Sequence, residues 1–129
     1  MAIDRAYTYK LLKCAYRVHS ELGPGLLESV YEKALAYELQ LQGFEVNHQM
    51  PVKIKYRGIE LDADLRLDII VDDSVILELK SVSEVLPVHK KQLLTYMRLT
   101  GIHLGYIINF NTDLLRDGIE RVVNNFNSA

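Results

Sequence analysis

Hydrophobic residues recur along this chain with two different periods, and the changes between them divide it into elements. From residue 5 to residue 22, Leu11, Ala15, Val18 and Leu22 follow one another at spacings of four, three and four, the pattern of one face of an α-helix. Asp4 stands where an N-cap would accept a free backbone N–H, and Gly23-Pro24-Gly25 supplies the stop. A second helical stretch runs from Leu26 to Gln42, with Leu27, Val30 or Tyr31, Ala34 and Leu41 at helical spacing and Gly43 behind it. The period then falls to two. Phe44, Val46, His48 and Met50 alternate with polar residues, Val52, Ile54 and Tyr56 do the same after Pro51, and Arg57-Gly58 reads as a turn. Beyond it, Ile59, Leu61, Ala63, Leu65, Leu67, Ile69 and Val71 predict one apolar face of a long strand, whose other face carries Glu60, Asp62, Asp64, Arg66 and Asp68. Asp72-Asp73-Ser74 is a polar turn, and the β-rich run from Val75 to Lys80 completes a hairpin. Pro87 suits a first helical position, opening a helix to about Leu99 that Gly101 ends, and Ile102 to Phe110 is a buried, β-branched strand. From Asn111 onward, Ile119, Val122 and Val123 do not settle between a short helix and an edge strand. The predicted order is α-α-β-β-β-α-β plus a tail, a mixed α/β fold.

Loop length carries chemistry into that order. If Asp72-Asp73-Ser74 is a three-residue loop, Val71 lies opposite Val75, Asp68 opposite Glu78 and Arg66 opposite Lys80, all four of the latter on one sheet face. Directly opposed like charges are destabilising at the cross-strand distance of about 5 Å. Two facing carboxylates therefore stand in solvent, share a proton, or hold a divalent cation. A solvated pair costs little, because water and salt screen it, but the flanking Ile70, Ile76 and Leu77 place this pair at the edge of a covered sheet. Two carboxylates suit Mg²⁺ or Mn²⁺, whose other positions go to water and substrate phosphate. Lys80, two residues beyond Glu78, could polarise that water or neutralise charge on phosphorus-bound oxygens. The spacing Glu-x-Lys alone says almost nothing; its place opposite an Asp on a hairpin gives it content.

Composition narrows the remaining choices. The chain has 129 residues and one cysteine, Cys14, so a single domain over residues 1–129 without disulfides is expected. The N-terminus lacks a basic segment followed by an apolar stretch, and no window approaches the ~18 apolar residues of a membrane span. The expected compartment is the cytoplasm. A net charge of −2 excludes coating of nucleic acid by bulk charge and leaves a local basic groove open. No P-loop or Gly-x-Ser-x-Gly occurs, and His19, His48, His89 and His103 lack zinc spacing.

Gly25-Leu26-Leu27-Glu28-Ser29-Val30-Tyr31 resembles the name motif of the small GxxExxY proteins, which are assigned to the PD-(D/E)XK nuclease superfamily. The likeness continues from Val18 through Arg66-Leu67-Asp68, Glu78-Leu79-Lys80, Pro87, Gln92, Tyr96 and Asn109-Phe110. It implies a restriction-endonuclease-like αβββαβ core, a mixed central sheet flanked by helices, with the first helix as an addition. It further implies Asp68 and Glu78 as metal ligands with the Leu79 carbonyl as a third, and Lys80 as catalytic lysine. Glu28 would be the extra acidic residue beside the metal, and Gln92 and Tyr96 would point back toward the site. Apart from the resemblance, Tyr96 and Arg66 are the expected substrate contacts. Leu67 stands where the superfamily pattern has Pro.

Glu28 is equally a first-turn carboxylate favoured by the helix dipole, Tyr31 a packing partner, and Gln92 and Tyr96 a part-buried amide and a core aromatic. The leading reading is a metal-dependent phosphodiesterase acting on nucleic acid, DNA ahead of RNA by analogy with the superfamily, with Mg or Mn as cofactor. Lys53, Lys55, Arg57, Lys90, Lys91 and Arg98 are candidate phosphate contacts, and a homodimer would reach both strands of a duplex. The alternative is a non-catalytic accessory domain that keeps the fold and recognises a nucleic acid or a protein.

Overall fold

The Asp4 carboxylate accepts the Tyr7 N–H at 2.9 Å and so satisfies one of the donors left free at the start of the first helix. The fold, a computed structural model, describes residues 2–125. Helix α1 spans Arg5–Leu22 and α2 Glu28–Leu41. Strands β1 (Val46–Tyr56), β2 (Ile59–Val71) and β3 (Val75–Lys80) follow, then α3 (Pro87–Thr100), β4 (Leu104–Asn109) and β5 (Ile119–Val123). The five strands lie in sequence order, with β3 and β4 parallel and every other neighbouring pair antiparallel. The parallel pair needs a crossover, and α3 supplies it. Pro87 opens α3, and left-handed Gly101, φ +75°, closes it. The tail resolves into both of its predicted forms, a short 3₁₀ turn at Leu115–Gly118 and then β5 along the edge of the sheet.

Helices lie on both sides of the sheet and give it two cores. On one side α1 and α2 bring Leu11, Val18, Tyr31, Leu35 and Leu39 against Ile69, Leu77, Ile108 and Phe110. On the other, Leu93 and Met97 of α3 meet Leu67, Ile70, Ile76 and Ile107. Tyr31 does more than pack. Its ring stacks on Phe110 at 4.4 Å, while its hydroxyl donates to the Gly23 carbonyl and accepts the Leu26 N–H. The link from α1 to α2 is thereby held, and with it the point where Glu28 emerges.

The β segments on either side of Pro51 form one strand, as the predicted order requires, because β1 lies at the sheet edge, where a missing N–H breaks no ladder. Two expectations change. Helix α2 begins at Glu28 and not at Leu26, since Leu27 takes the N-cap position in extended backbone. The single apolar face of β2 does not form: Leu67 belongs to the core under α3, whereas Ile69 and Val71 belong to the core under α1 and α2. Packing changes sides at Asp68. Gln49 of β1 falls opposite, between the pairs His48–Ile69 and Met50–Leu67, with a left-handed φ of +54°. Farther out, Leu61 and Ile59 are 43% and 63% exposed, and the side chain of Ala63 lies outside the described residues.

Candidate active site

The hairpin register follows from its loop. Val71 faces Val75, Ile70 faces Ile76 and Ile69 faces Leu77, as a three-residue connection requires. One pair farther the ladder ends, and the next two residues are the acids. The Leu79 N–H donates to Asp68 Oδ2 at 2.8 Å, and the Asp68 N–H reaches Glu78 Oε1 at 3.4 Å. Each carboxylate thus accepts a backbone N–H of the other strand, in the place of the carbonyl that a continuing ladder would present. A side-chain oxygen stands farther from its own backbone than a carbonyl does, so the strands part here.

The parting alters the expected row of four charges. The ladder does not extend to Arg66 and Lys80; Arg66 is exposed, and its guanidinium donates to the Gln49 carbonyl at 3.2 Å. Lys80 stays on β3, alongside Asn109 of β4, and makes no ion pair among the described residues. Glu28 reaches in from α2: its Oε1 accepts the Ser81 N–H at 3.3 Å, and the Ser81 hydroxyl donates to the Leu26 carbonyl at 2.6 Å. Asn109 clasps the next residue, accepting the Val82 N–H and donating to the Val82 carbonyl. The segment after Lys80 is fixed on both sides.

Charge is poorly accommodated at the centre. Glu78 is only 8% exposed, and burial first, then the Asp68 charge, push its carboxyl up to about 8 against the opposing pull of the Asp68 N–H and Lys80. Asp68 is also raised, chiefly by burial; the Leu79 N–H and Lys80 act against this, and Glu32 and Glu28 add to it. Without a counter-ion the pair therefore retains a proton at neutral pH. Tyr96, half-buried on α3, is raised by burial and then by the Glu78 and Asp68 charges, so its phenol keeps its proton. Gln92, one turn earlier on α3, is exposed and makes none of these contacts.

Asp68 and Leu79 line a cavity of about 410 Å³ together with Glu28, Ser29, Glu32 and Gln49. Glu32 and Gln49 were not among the expected site residues. Gln49 Nε2 donates to Glu32 Oε1 at 2.6 Å, tying together two residues that line the cavity. The spacing of Glu32 four residues after Glu28 was a usable signal; Gln49 had none.

Among the described residues no three His, Cys, Asp or Glu side chains converge on one ion position. Two adjoining carboxylates remain, Glu78 buried and Asp68 half-buried, with no ion-pair partner among the described residues, of the hard-oxygen kind that suits an ion keeping water and phosphate in its other positions. Such an ion would offset both the burial and the Asp68 charge that raise Glu78. The residues fit.

No helix among the described residues is long and apolar enough to cross a membrane. Neither comparison, with curated proteins or with solved structures, gives a match. A family model described as the PD-(D/E)XK nuclease superfamily matches residues 5–122, which takes in α1, the hairpin with Asp68, Glu78 and Lys80, α3 and nearly all of β5. Nucleases of that superfamily generally use divalent metals. A sheet of this order with acids where its central hairpin opens is the restriction-endonuclease-like arrangement, and the chain belongs to the PD-(D/E)XK nuclease superfamily.

Proposed function

We propose that the chain is a Mg²⁺- or Mn²⁺-dependent phosphodiesterase acting on DNA, with the whole activity in one domain. The observation that carries this reading is the exchange between β2 and β3, in which the half-buried Asp68 and the buried Glu78 each take a backbone N–H of the other strand and converge beside Lys80, whose charge offsets theirs only in part. Asp68, Glu78 and the Leu79 carbonyl would hold the cation, which supplies Lewis acidity at the scissile phosphate and a water of lowered pKa. Lys80 sets an ammonium beside the charge that builds on the phosphoryl oxygens as water attacks in line. Tyr96, protonated, donates to a phosphate oxygen, and Gln92 and Arg66 extend the contact toward the strand. Glu28 holds Ser81 in place and thereby fixes the strand end that carries Lys80. Cutting both strands of a duplex would take a second copy of the chain.

Cleavage of DNA and RNA substrates with Mg²⁺, Mn²⁺ or EDTA tests the reading. The expected result is metal-dependent cleavage of DNA that Lys80→Ala lowers by about 10²–10³-fold, the size of a lost transition-state charge contact, with unchanged circular dichroism. Equal cleavage by the variant removes Lys80 from the mechanism. A parent that binds Mn²⁺ and cuts neither polymer is an accessory domain.

A further inference from the structure

Away from the carboxylates, a groove of about 550 Å³ runs between α1 and the C-terminal half of α2. Tyr9, Lys10, Lys13, Tyr16 and Arg17 of α1 line one wall, and Glu38 of α2 lies opposite. Helix α1 carries four cations, Arg5, Lys10, Lys13 and Arg17, against one acid, Glu21, in a chain whose net charge is −2. Helix α1 thus carries an excess of positive charge, as α3 does with Lys90, Lys91 and Arg98 and no acid, and its Arg17 is shared between Glu21 at 3.4 Å and Glu38 at 3.6 Å, which leaves Lys10 and Lys13 with no acidic partner among the described residues. The aromatic residues are equally out of balance with the fold: Tyr9 is 70% and Tyr16 43% exposed, two large rings that contribute little to the core. The Lys13 ammonium stands 6.0 Å over the Tyr9 ring, so a cation and a flat ring share this surface.

We propose that this groove binds single-stranded nucleic acid, with Tyr9 and Tyr16 as stacking platforms for bases and Lys10, Lys13 and Arg17 as phosphate contacts. This rests on the nucleic-acid reading of the preceding section and names its substrate class. A duplex keeps its bases turned inward and offers nothing to an exposed ring, whereas an open strand presents both a π-face and a phosphate at every step. The groove also answers a problem at the site, where Glu28, Glu32 and Asp68 line the cavity and repel a phosphodiester until a cation arrives. Glu38 lies ten residues beyond Glu28 on α2, about 15 Å along the helix axis, so a strand held in the groove has its neighbouring nucleotides within reach of the carboxylates.

Fluorescence anisotropy of a labelled 12-nucleotide strand, with the full chain in EDTA, tests this without cleavage. Single-stranded DNA and RNA of the same sequence should bind comparably, the matched duplex at least about tenfold more weakly, and the salt dependence should have a slope near −2 for about three phosphate contacts. Tyr9→Ala should weaken single-strand binding by about 5- to 150-fold, the range for one lost base stack, and Lys13→Ala should flatten the slope by about 0.7. Both residues are exposed, so circular dichroism should be unaltered. Duplex bound as tightly as the single strand, polyglutamate competing as well as the oligonucleotide, or Tyr9→Ala binding like the parent would each overturn the groove. Cleavage by the parent together with unchanged binding by Tyr9→Ala removes the groove alone. Binding lost in Tyr9→Ala from a parent that never cleaves leaves the groove standing and removes the enzyme.

Discussion

Asp72 and Asp68 lie four residues apart on one hairpin, at its closed end and its open end, and their carboxylates have opposite surroundings. Asp72 accepts the Glu45 N–H at 2.9 Å and the Tyr7 hydroxyl at 2.8 Å, tying β2 to the α2–β1 link and to α1. The Tyr7 phenol is raised by burial and by this bond, so it stays a donor. Asp68 accepts a single backbone N–H at 2.8 Å and otherwise meets a second buried carboxylate. A carboxylate with two donors on separate elements closes a structure. A carboxylate set against another leaves charge unmet, and it is the unmet charge that can recruit an ion.

The largest expected effect is at the open end. Asp68→Asn should lower metal-dependent cleavage by about 10³-fold or more, equivalent to about 4 kcal/mol at the transition state. Its metal-free melting temperature should stay level or rise, because a like charge is gone; cleavage assays beside thermal unfolding check both. Asp72→Ala should do the reverse, losing about 3 kcal/mol of stability with two charge-assisted hydrogen bonds. Roughly 10 °C of melting temperature would go with them, and the folded fraction should cleave as before.

The titration of Glu78 sharpens the contrast further. Its carboxyl sits at about 8 in the folded chain against an ordinary 4.5, so between those values the native state holds a proton that the unfolded state has released. The contribution is complete below pH 4.5 and is lost as pH rises through 8. Metal-free protein should therefore weaken by about 3 kcal/mol from pH 5 to pH 8 in denaturant melts, and Glu78→Gln should flatten that slope. Tyr7→Phe is the smallest change, costing about 1 kcal/mol for one hydrogen bond and leaving cleavage alone. A drop in cleavage at full folding would mean that the closed end communicates with the site.

Local signals carried much of the fold. Asp4, Gly23, Pro87 and Gly101 mark helix ends through capping and φ preferences that depend on a few neighbouring residues, and helix α1 begins and ends as its spacing predicts. The register of β2 with β3 followed from a three-residue loop, and so Asp68 and Glu78 could be paired from sequence. The other hairpin could not be extrapolated. The turn at Arg57-Gly58 sets Tyr56 opposite Ile59, and counting inward from it would put Gln49 opposite Arg66. Between the pairs Ile54–Leu61 and Val52–Leu65, however, β2 uses two more residues than β1, with Asp64 at φ +50°. That irregularity brings Gln49 opposite Asp68 and has no signature in residue type. The alternation along β2 failed at a separate place, Asp68, across which Leu67 joins the core under α3 and Ile69 the core under α1 and α2. Asp72 was legible as a turn residue, but its bonds to Tyr7 and Glu45 depend on how α1 lies over the sheet, which no local pattern encodes.

Two acids, each held by the backbone of the other's strand, are proposed to grip one divalent ion. Anomalous diffraction from crystals soaked in millimolar Mn²⁺ tests this most directly. One strong peak is expected within coordination distance of both the Asp68 and Glu78 carboxylates, absent from crystals of Asp68→Asn. No peak there at saturating Mn²⁺, or a peak that survives in Asp68→Asn, would contradict it.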